Sequence, residues 1–138
     1  MPLDPQVEKI LYWAQRSSVP PYPELGAVQA REHYAKASAP RDIVPPSLHA
    51  VQDIDVELPG RVLRVREYAP WPHSWAEPRP ALLYFHGGGF TIGSVDTHDR
   101  VCRVLALGGD CLVYSVDYRV APEHRFPSAQ DDAFESLA

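Results

Sequence analysis

The chain has 138 residues, the size of a single domain. Apolar residues make up 45% of it and charged residues 22%, which excludes intrinsic disorder. Thirteen Lys and Arg against eighteen Asp and Glu give a net charge of −5, which makes nucleic acid and anionic membrane surfaces poor partners. No apolar run is long enough to span a bilayer, and no secretory leader is visible. With only two cysteines, the composition predicts a cytoplasmic protein.

Prolines, fifteen in all, concentrate in the N-terminal part of the chain. Asp4 and Pro5 are a typical helix start, and Val7, Ile10, Leu11 and Ala14 follow at helical spacing. A second helix is predicted over about 24–36. Residues 40–47 read as a linker.

Two short alternating segments come next. Over 51–58, Ile54, Val56 and Leu58 alternate with charged residues, and Pro59-Gly60 separates this strand from a second one over 61–68. The pair predicts an antiparallel hairpin near a sheet edge. The proline-rich stretch 70–80, with two tryptophans, predicts a surface loop, for which a binding role has only weak support.

The remaining pattern is strand, helix, strand, helix. Residues 81–85 and 111–116 are apolar on both faces, as buried parallel strands are. Between them, a helix over 96–107 is predicted to turn Val101, Val104 and Leu105 inward, and a last helix begins at about Ser128. The order predicts an α/β fold with a parallel sheet.

Residues 86–90, His-Gly-Gly-Gly-Phe, directly follow the first buried strand. Three glycines allow backbone dihedrals that a Cβ forbids, and unpaired N–H groups there can converge on a developing oxyanion. The alternative is a flexible glycine turn. The preceding histidine, the following aromatic and the upstream strand favour the oxyanion loop of α/β-hydrolase esterases and lipases.

A second block, DYRVAPEHRFPSAQDDA over 117–133, follows the next strand. Together with the HGGGF loop, LDPQ over 3–6 and SVDTHD over 94–99, it resembles the hormone-sensitive-lipase-like branch of the α/β hydrolases, the bacterial family IV esterases. The resemblance implies the N-terminal portion of an α/β-hydrolase fold: an antiparallel edge hairpin and parallel strands with crossover helices. It divides the chain into cap helices and linker over 1–47 and the first half of the core, with strands 1–4 and the oxyanion loop, over 48–138.

The same resemblance implies a function. Family members hydrolyse short-chain carboxylic esters with a Ser-His-Asp triad and no metal or other cofactor. The N–H groups of Gly88 and Gly89 would be the oxyanion donors, supported by His86 and Gly87, and Phe90 would line the substrate-binding acyl pocket. An amide or lactone hydrolase on the same scaffold stays open, since the pocket that separates them is not in the motif.

The family's Gly-x-Ser-x-Gly nucleophile motif does not occur in the 138 residues. Triad residues follow the order Ser, Asp or Glu, His, downstream of these blocks. The resemblance therefore predicts an N-terminal half that lacks the triad and is inactive alone, or alternatively a non-catalytic binding or complementation module. The residues set aside as triad members are Ser94, Ser115, Ser128, Ser136, His86, His98, His124, Asp131 and Asp132.

Other chemistry-bearing residues have structural interpretations. Asp117, Arg119 and Glu123 are expected to form an ion-pair network rather than an acid/base site, and Cys102 and Cys111 to be inert thiols rather than a redox pair. His86, His98 and His124 lack the short spacing of a metal site.

Half a fold would also leave the 81–86 strand as a bare sheet edge. Such an edge predicts self-association, complementation by a C-terminal half, or aggregation.

Overall fold

The computed structural model describes residues 2–39, 44–74 and 78–137. Residues 40–43 of the predicted linker, and Trp75, lie outside the described residues. Tyr22–Glu24 forms a single 3₁₀ turn. The helices and strands of the described residues, in chain order, are α1 (Pro5–Gln15), α2 (Ala27–Ser38), β1 (Ala50–Leu58), β2 (Arg61–Ala69), β3 (Ala81–Phe85), α3 (Asp99–Gly109), β4 (Leu112–Val116) and α4 (Ser128–Glu135).

The four strands form one mixed sheet in the order β1-β2-β4-β3. β1 and β2 are the predicted antiparallel hairpin, with Ile54 opposite Val65, and β2 also pairs antiparallel with β4. β3 runs parallel to β4, from Ala81 opposite Leu112 to Phe85 opposite Val116. Because the two strands are parallel, the segments that follow β3 and β4 lie together at the carboxyl-terminal end of the strands.

Each face of the sheet carries its own apolar cluster. Leu63, Val65 and Val116 pack with Tyr118 and with Ala129 of α4 on one face. The other face holds a second cluster, formed by Tyr68, Val113, Cys102 and Ala106. Pleating sends successive side chains of one strand to opposite faces, so β4 serves both clusters and is the buried strand that its sequence predicts.

The inward face of α3 differs from the prediction. Val101 and Val104 are 45% and 52% exposed, whereas Cys102 and Ala106 are fully buried against the sheet. Small side chains at positions i and i+4 let the helix backbone approach the strands closely, and the neighbouring stripe then faces away. Burial raises the pKa of the Cys102 thiol to about 11, so it stays protonated, as expected of an inert buried cysteine.

β3 is also less buried than its apolar sequence predicts. It is the last strand in the sheet order, and Leu82 is 38% exposed. Within the described residues β3 pairs on one side only, with β4. One of its edges and part of its surface therefore lie open, which agrees with the bare edge that the sequence predicts.

The two N-terminal helices have the predicted positions with shifted details. The Asp4 carboxylate accepts a hydrogen bond from the Gln6 amide at 2.8 Å and caps α1, but the apolar face of α1 is exposed. α2 begins at Ala27 instead of Glu24, because Leu25 is extended and Gly26 is the N-cap. No helix within the described ranges has both the length and the apolar character needed to cross a membrane.

Asp132 ties α4 to the hairpin and to the segment after β4. Its carboxylate is completely buried and accepts from Arg61 Nε at 2.7 Å, from the Arg119 amide at 2.8 Å and from Arg119 Nη2 at 2.8 Å. Burial raises its pKa, but the hydrogen bonds from Arg119 and Arg61 outweigh that effect, so the pKa lies below the usual aspartate range. The carboxylate therefore remains ionised.

Asp132→Asn is expected to lower the free energy of unfolding at pH 7 by about 2–3 kcal/mol, because two buried charge-assisted contacts lose their anion. A carboxylate with a depressed pKa stabilises the fold above its unfolded pKa of about 4 and loses that contribution as pH falls through the folded value. The two proteins should thus converge in acid. Urea unfolding at pH 7 and pH 3, followed by tryptophan fluorescence, measures this.

The control is Asp131→Asn, at the neighbouring position in the sequence. Because the Asp131 carboxylate is exposed, this substitution should change the free energy of unfolding little at either pH. An equal loss for Asp132→Asn at both pH values would contradict the proposed role of its charge.

Candidate active site

The glycine loop after β3 lies beside the segment after β4, as the parallel pairing requires. The Ala121 amide donates to the Phe90 carbonyl at 2.7 Å, and the Tyr118 hydroxyl donates to the His86 carbonyl at 2.5 Å. A cleft of about 370 Å³ opens here, lined by α2, the glycine loop and the segment after β4. Two of the four stretches that carry the resemblance, residues 86–90 and 117–133, therefore lie side by side.

The loop backbone adopts conformations that need glycine at particular positions. Gly88 and Gly93 have φ values of 138° and 89°, and a Cβ on Gly88 would come within 1.8 Å of the Ile92 carbonyl oxygen. A Cβ on Gly93 would lie 2.3 Å from the Gly87 oxygen. Gly87 has open space and no positive φ, so the three adjacent glycines are not equivalent.

The turn leaves two backbone donors without a protein acceptor among the described residues. The Gly88 carbonyl accepts from the amides of Thr91 at 3.1 Å and Ile92 at 3.0 Å, which closes the turn. In the part of the chain that the structure describes, the amides of Gly88 and Gly89 donate to no protein oxygen. Gly88 is half-buried and Gly89 is exposed. Two neighbouring N–H groups are thus available to an oxygen from outside the loop.

His86 is buried at the base of the loop. Its ring stacks on Tyr118 with a centroid distance of 4.3 Å and an interplanar angle of 16°, and on its other neighbour, His98, at 5.5 Å and 30°. His86 Nδ1 lies 3.0 Å from the Gly87 oxygen, and since a carbonyl only accepts, this nitrogen carries the hydrogen. Burial lowers the pKa of the imidazole below its usual range, so the ring is neutral at pH 7.

Tyr118 is a site residue that sequence reasoning missed. It is buried, and burial raises the pKa of its phenol. The hydroxyl therefore stays protonated and donates its hydrogen bond to the His86 carbonyl. Its position two residues after a strand parallel to β3 was the available signal.

The charged residues after β4 form the expected structural network. Asp117 lies 2.9 Å from Arg64, Arg119 lies 2.8 Å from Asp132, and Glu123 lies 2.6 Å from Arg31. Each carboxylate thus has an arginine partner, and this structural role accounts for it without a part in proton transfer.

Phe90, the predicted acyl-pocket residue, and the residues that the sequence sets aside as triad members differ in their surroundings. Phe90 is 54% exposed with a φ of 59°. Ser115 is fully buried in β4, and Ser94 is held in a hydrogen-bonded turn with Thr97. Histidine 124 is exposed. Among the described residues, no three His, Cys, Asp or Glu side chains are placed to hold a metal ion.

A glycine-rich turn with unbonded amides after a parallel strand occurs in several α/β folds, and the comparisons with known proteins identify this one as an α/β hydrolase. The sequence profile of the alpha/beta hydrolase fold family matches residues 82–138. An esterase of Mycobacterium tuberculosis, LipI, is 46% identical over 97 residues, which are 69% of this chain and 29% of LipI.

Solved structures extend the likeness to the N-terminal helices. A hyperthermophilic esterase from the archaeon Pyrobaculum calidifontis has a TM-score of 0.88 at 40% identity over 99% of this chain and 42% of its own. An ester hydrolase from the Lake Arreo metagenome, complexed with a bipyridine phosphonate derivative, has a TM-score of 0.86 at 35% identity over 98% of this chain and 44% of its own. The chain belongs to the hormone-sensitive-lipase-like esterase branch of the α/β hydrolases and spans less than half the length of these relatives.

Gly88→Ala should lower the free energy of unfolding by about 3 kcal/mol or more, because the new methyl group collides with the backbone at Ile92 and the backbone has a positive φ. Gly87→Ala is the matched control one residue away and should change it by less than about 1 kcal/mol. Chemical denaturation of both variants checks the difference. Equal midpoints would show that the loop does not have the described conformation.

Proposed function

We propose that this chain supplies the oxyanion hole and part of the active-site cap of a carboxylic ester hydrolase that uses a serine-hydrolase mechanism. The observation that carries the proposal is the pair of neighbouring amides at Gly88 and Gly89, which donate to no oxygen of the described residues. Attack on an ester carbonyl converts its oxygen to an oxyanion, and fixed N–H donors stabilise that charge more than they stabilise the neutral substrate. The substrate class is a small-molecule ester, as the names of the relatives support.

His86 and Gly87 act in this proposal as the support of the loop. The neutral imidazole donates to the Gly87 carbonyl while the Tyr118 hydroxyl holds the His86 carbonyl. A neutral ring adds no charge that would disturb the oxyanion. Phe90, exposed next to the donors, would wall the acyl side of the substrate.

The same proposal assigns a role to each part of the chain. Residues 1–47 would contribute the cap helices and 48–138 the first part of the catalytic core. The serine, acid and histidine would come from outside these 138 residues, because no Gly-x-Ser-x-Gly occurs in them. Without those groups the oxyanion donors alone give little hydrolysis. The missing motif also favours a second candidate function, a non-catalytic binding or complementation module.

Two further parts of the proposal concern partners and location. The open edge of β3 would pair with a second copy of the chain or with a C-terminal half of the fold. Cys102 and Cys111 are both free thiols, which supports a reducing cytoplasmic location.

A fluorophosphonate probe, read by denaturing intact mass, tests the proposal. The 138-residue chain of 15.4 kDa should stay unlabelled, and the complete natural polypeptide, or the chain mixed with its C-terminal complement, should be labelled and should hydrolyse p-nitrophenyl acetate. Labelling of the 15.4 kDa chain itself would contradict the external nucleophile. A complete polypeptide with neither labelling nor hydrolysis would favour the binding module.

Self-association is tested by light scattering on the 138-residue chain. It should form dimers or larger species at micromolar concentration, and Leu82→Lys should shift it towards monomer, since a lysine on an edge strand discourages pairing. Val62→Lys, at an exposed position of the interior strand β2, is the control and should not. A monomeric unaltered chain would contradict this part of the proposal.

A further inference from the structure

Arg31 on α2 binds both segments of the candidate site at once. Its Nε donates to the Thr91 carbonyl at 2.7 Å, and its Nη2 donates to the Ala121 carbonyl at 2.6 Å. Nη1 and Nη2 also reach the two carboxylate oxygens of Glu123 at 2.9 and 2.6 Å. All three guanidinium nitrogens therefore donate hydrogen bonds, to acceptors that lie about 60 to 90 residues further along the chain.

The two carbonyls that Arg31 holds belong to the glycine turn and to the strand exit that supports it. The Thr91 amide donates to the Gly88 carbonyl, and the Ala121 amide donates to the Phe90 carbonyl. Arg31 thus fixes peptide groups next to the turn that carries the unbonded amides of Gly88 and Gly89. A shift of Thr91 would move Gly88 and Gly89 with it.

The carbonyl bonds matter more here than the ion pair. The Glu123 side chain is 48% exposed, and an ion pair so open to solvent contributes little to folding. Bonds from a guanidinium to two backbone carbonyls are charge-assisted and fix direction as well as distance. Glu123, whose pKa is lowered to about 2 chiefly by the hydrogen bond from Arg31, remains ionised and orients the planar guanidinium towards the two carbonyls.

α2 has few other attachments to the core. Ala30 is its one buried residue within the described range, and the Tyr34 ring lies 6.3 Å from that of His98. Arg31 therefore links the position of an N-terminal helix directly to the shape of the loop.

We propose that Arg31 is a positioning residue, which holds the oxyanion loop in its donor geometry only while α2 is docked, so that the position of α2 controls catalysis. The inference rests on the proposed ester hydrolysis and deepens it.

The kinetic test compares variants in the complete natural polypeptide. Arg31→Ala should lower kcat for p-nitrophenyl acetate by about 10- to 100-fold and leave KM within about threefold, because displaced donors lose contact with the transition state more than with the substrate. Arg31→Lys should fall between, since one ammonium cannot reach both carbonyls in a fork. Glu123→Gln should lose less than about threefold, because the carbonyl bonds remain.

Arg103→Ala is the matched control. Arg103 is 22% exposed against 29% for Arg31, and it likewise binds a carboxylate, Asp99, and a backbone carbonyl, that of Pro46, but away from the glycine loop. It should leave kcat unchanged. Millimolar ethylguanidinium should restore part of kcat in Arg31→Ala. An Arg31→Ala enzyme with kcat within twofold of the unaltered one, or a loss that ethylguanidinium does not restore, would overturn the proposal.

A second readout separates this inference from the proposed function. Amide hydrogen exchange in the 138-residue chain should accelerate at Thr91 and Ile92, whose amides bond Gly88, in Arg31→Ala but not in Arg103→Ala. Unchanged exchange would overturn the positioning role even if the enzyme is active. Accelerated exchange in a polypeptide that hydrolyses no ester would leave the loop contact standing and reject the esterase proposal.

Discussion

The parallel pairing of β3 with β4 is the constraint on which the site depends. With Phe85 opposite Val116, the next residues of both strands leave the sheet at one edge, and His86 meets Tyr118 there. A slip of one residue in this pairing would displace His86 along the strand and separate these rings. The glycine turn itself depends on local backbone geometry, because Gly88 and Gly93 have no room for a Cβ.

Charges around the site are compensated, and the loop itself is neutral. Asp117, Glu123 and the buried Asp132 each face an arginine, while burial keeps His86 uncharged. An oxyanion formed at the loop would therefore meet fixed amide dipoles without a competing local anion or a mobile proton. This arrangement suits a site whose task is to stabilise charge, with proton transfer supplied by other groups.

Much of this was predictable from sequence, and the failures have physical reasons. The strand β1 was predicted from its alternating pattern, which is local in the sequence. The turn at HGGGF was predicted from its three adjacent glycines, which are local as well. Residue spacing alone does not predict which of two adjacent faces of α3 packs against the sheet. The face with Cys102 and Ala106 is buried, because these small side chains let the helix approach the strands, and Val101 and Val104 are exposed. The bonds of Arg31 to Thr91 and Ala121 join distant segments, and no local pattern reports such contacts.

Strand order also has a consequence for synthesis of the chain. β3 leaves the ribosome before β4, yet in the sheet it pairs with β4 and lies outside it. The hairpin of β1 and β2 can form from neighbouring residues, but β3 has no template until the chain through Val116 has emerged. During that interval its apolar side chains are exposed, so the nascent segment that carries the glycine loop is open to association with other chains until β4 emerges.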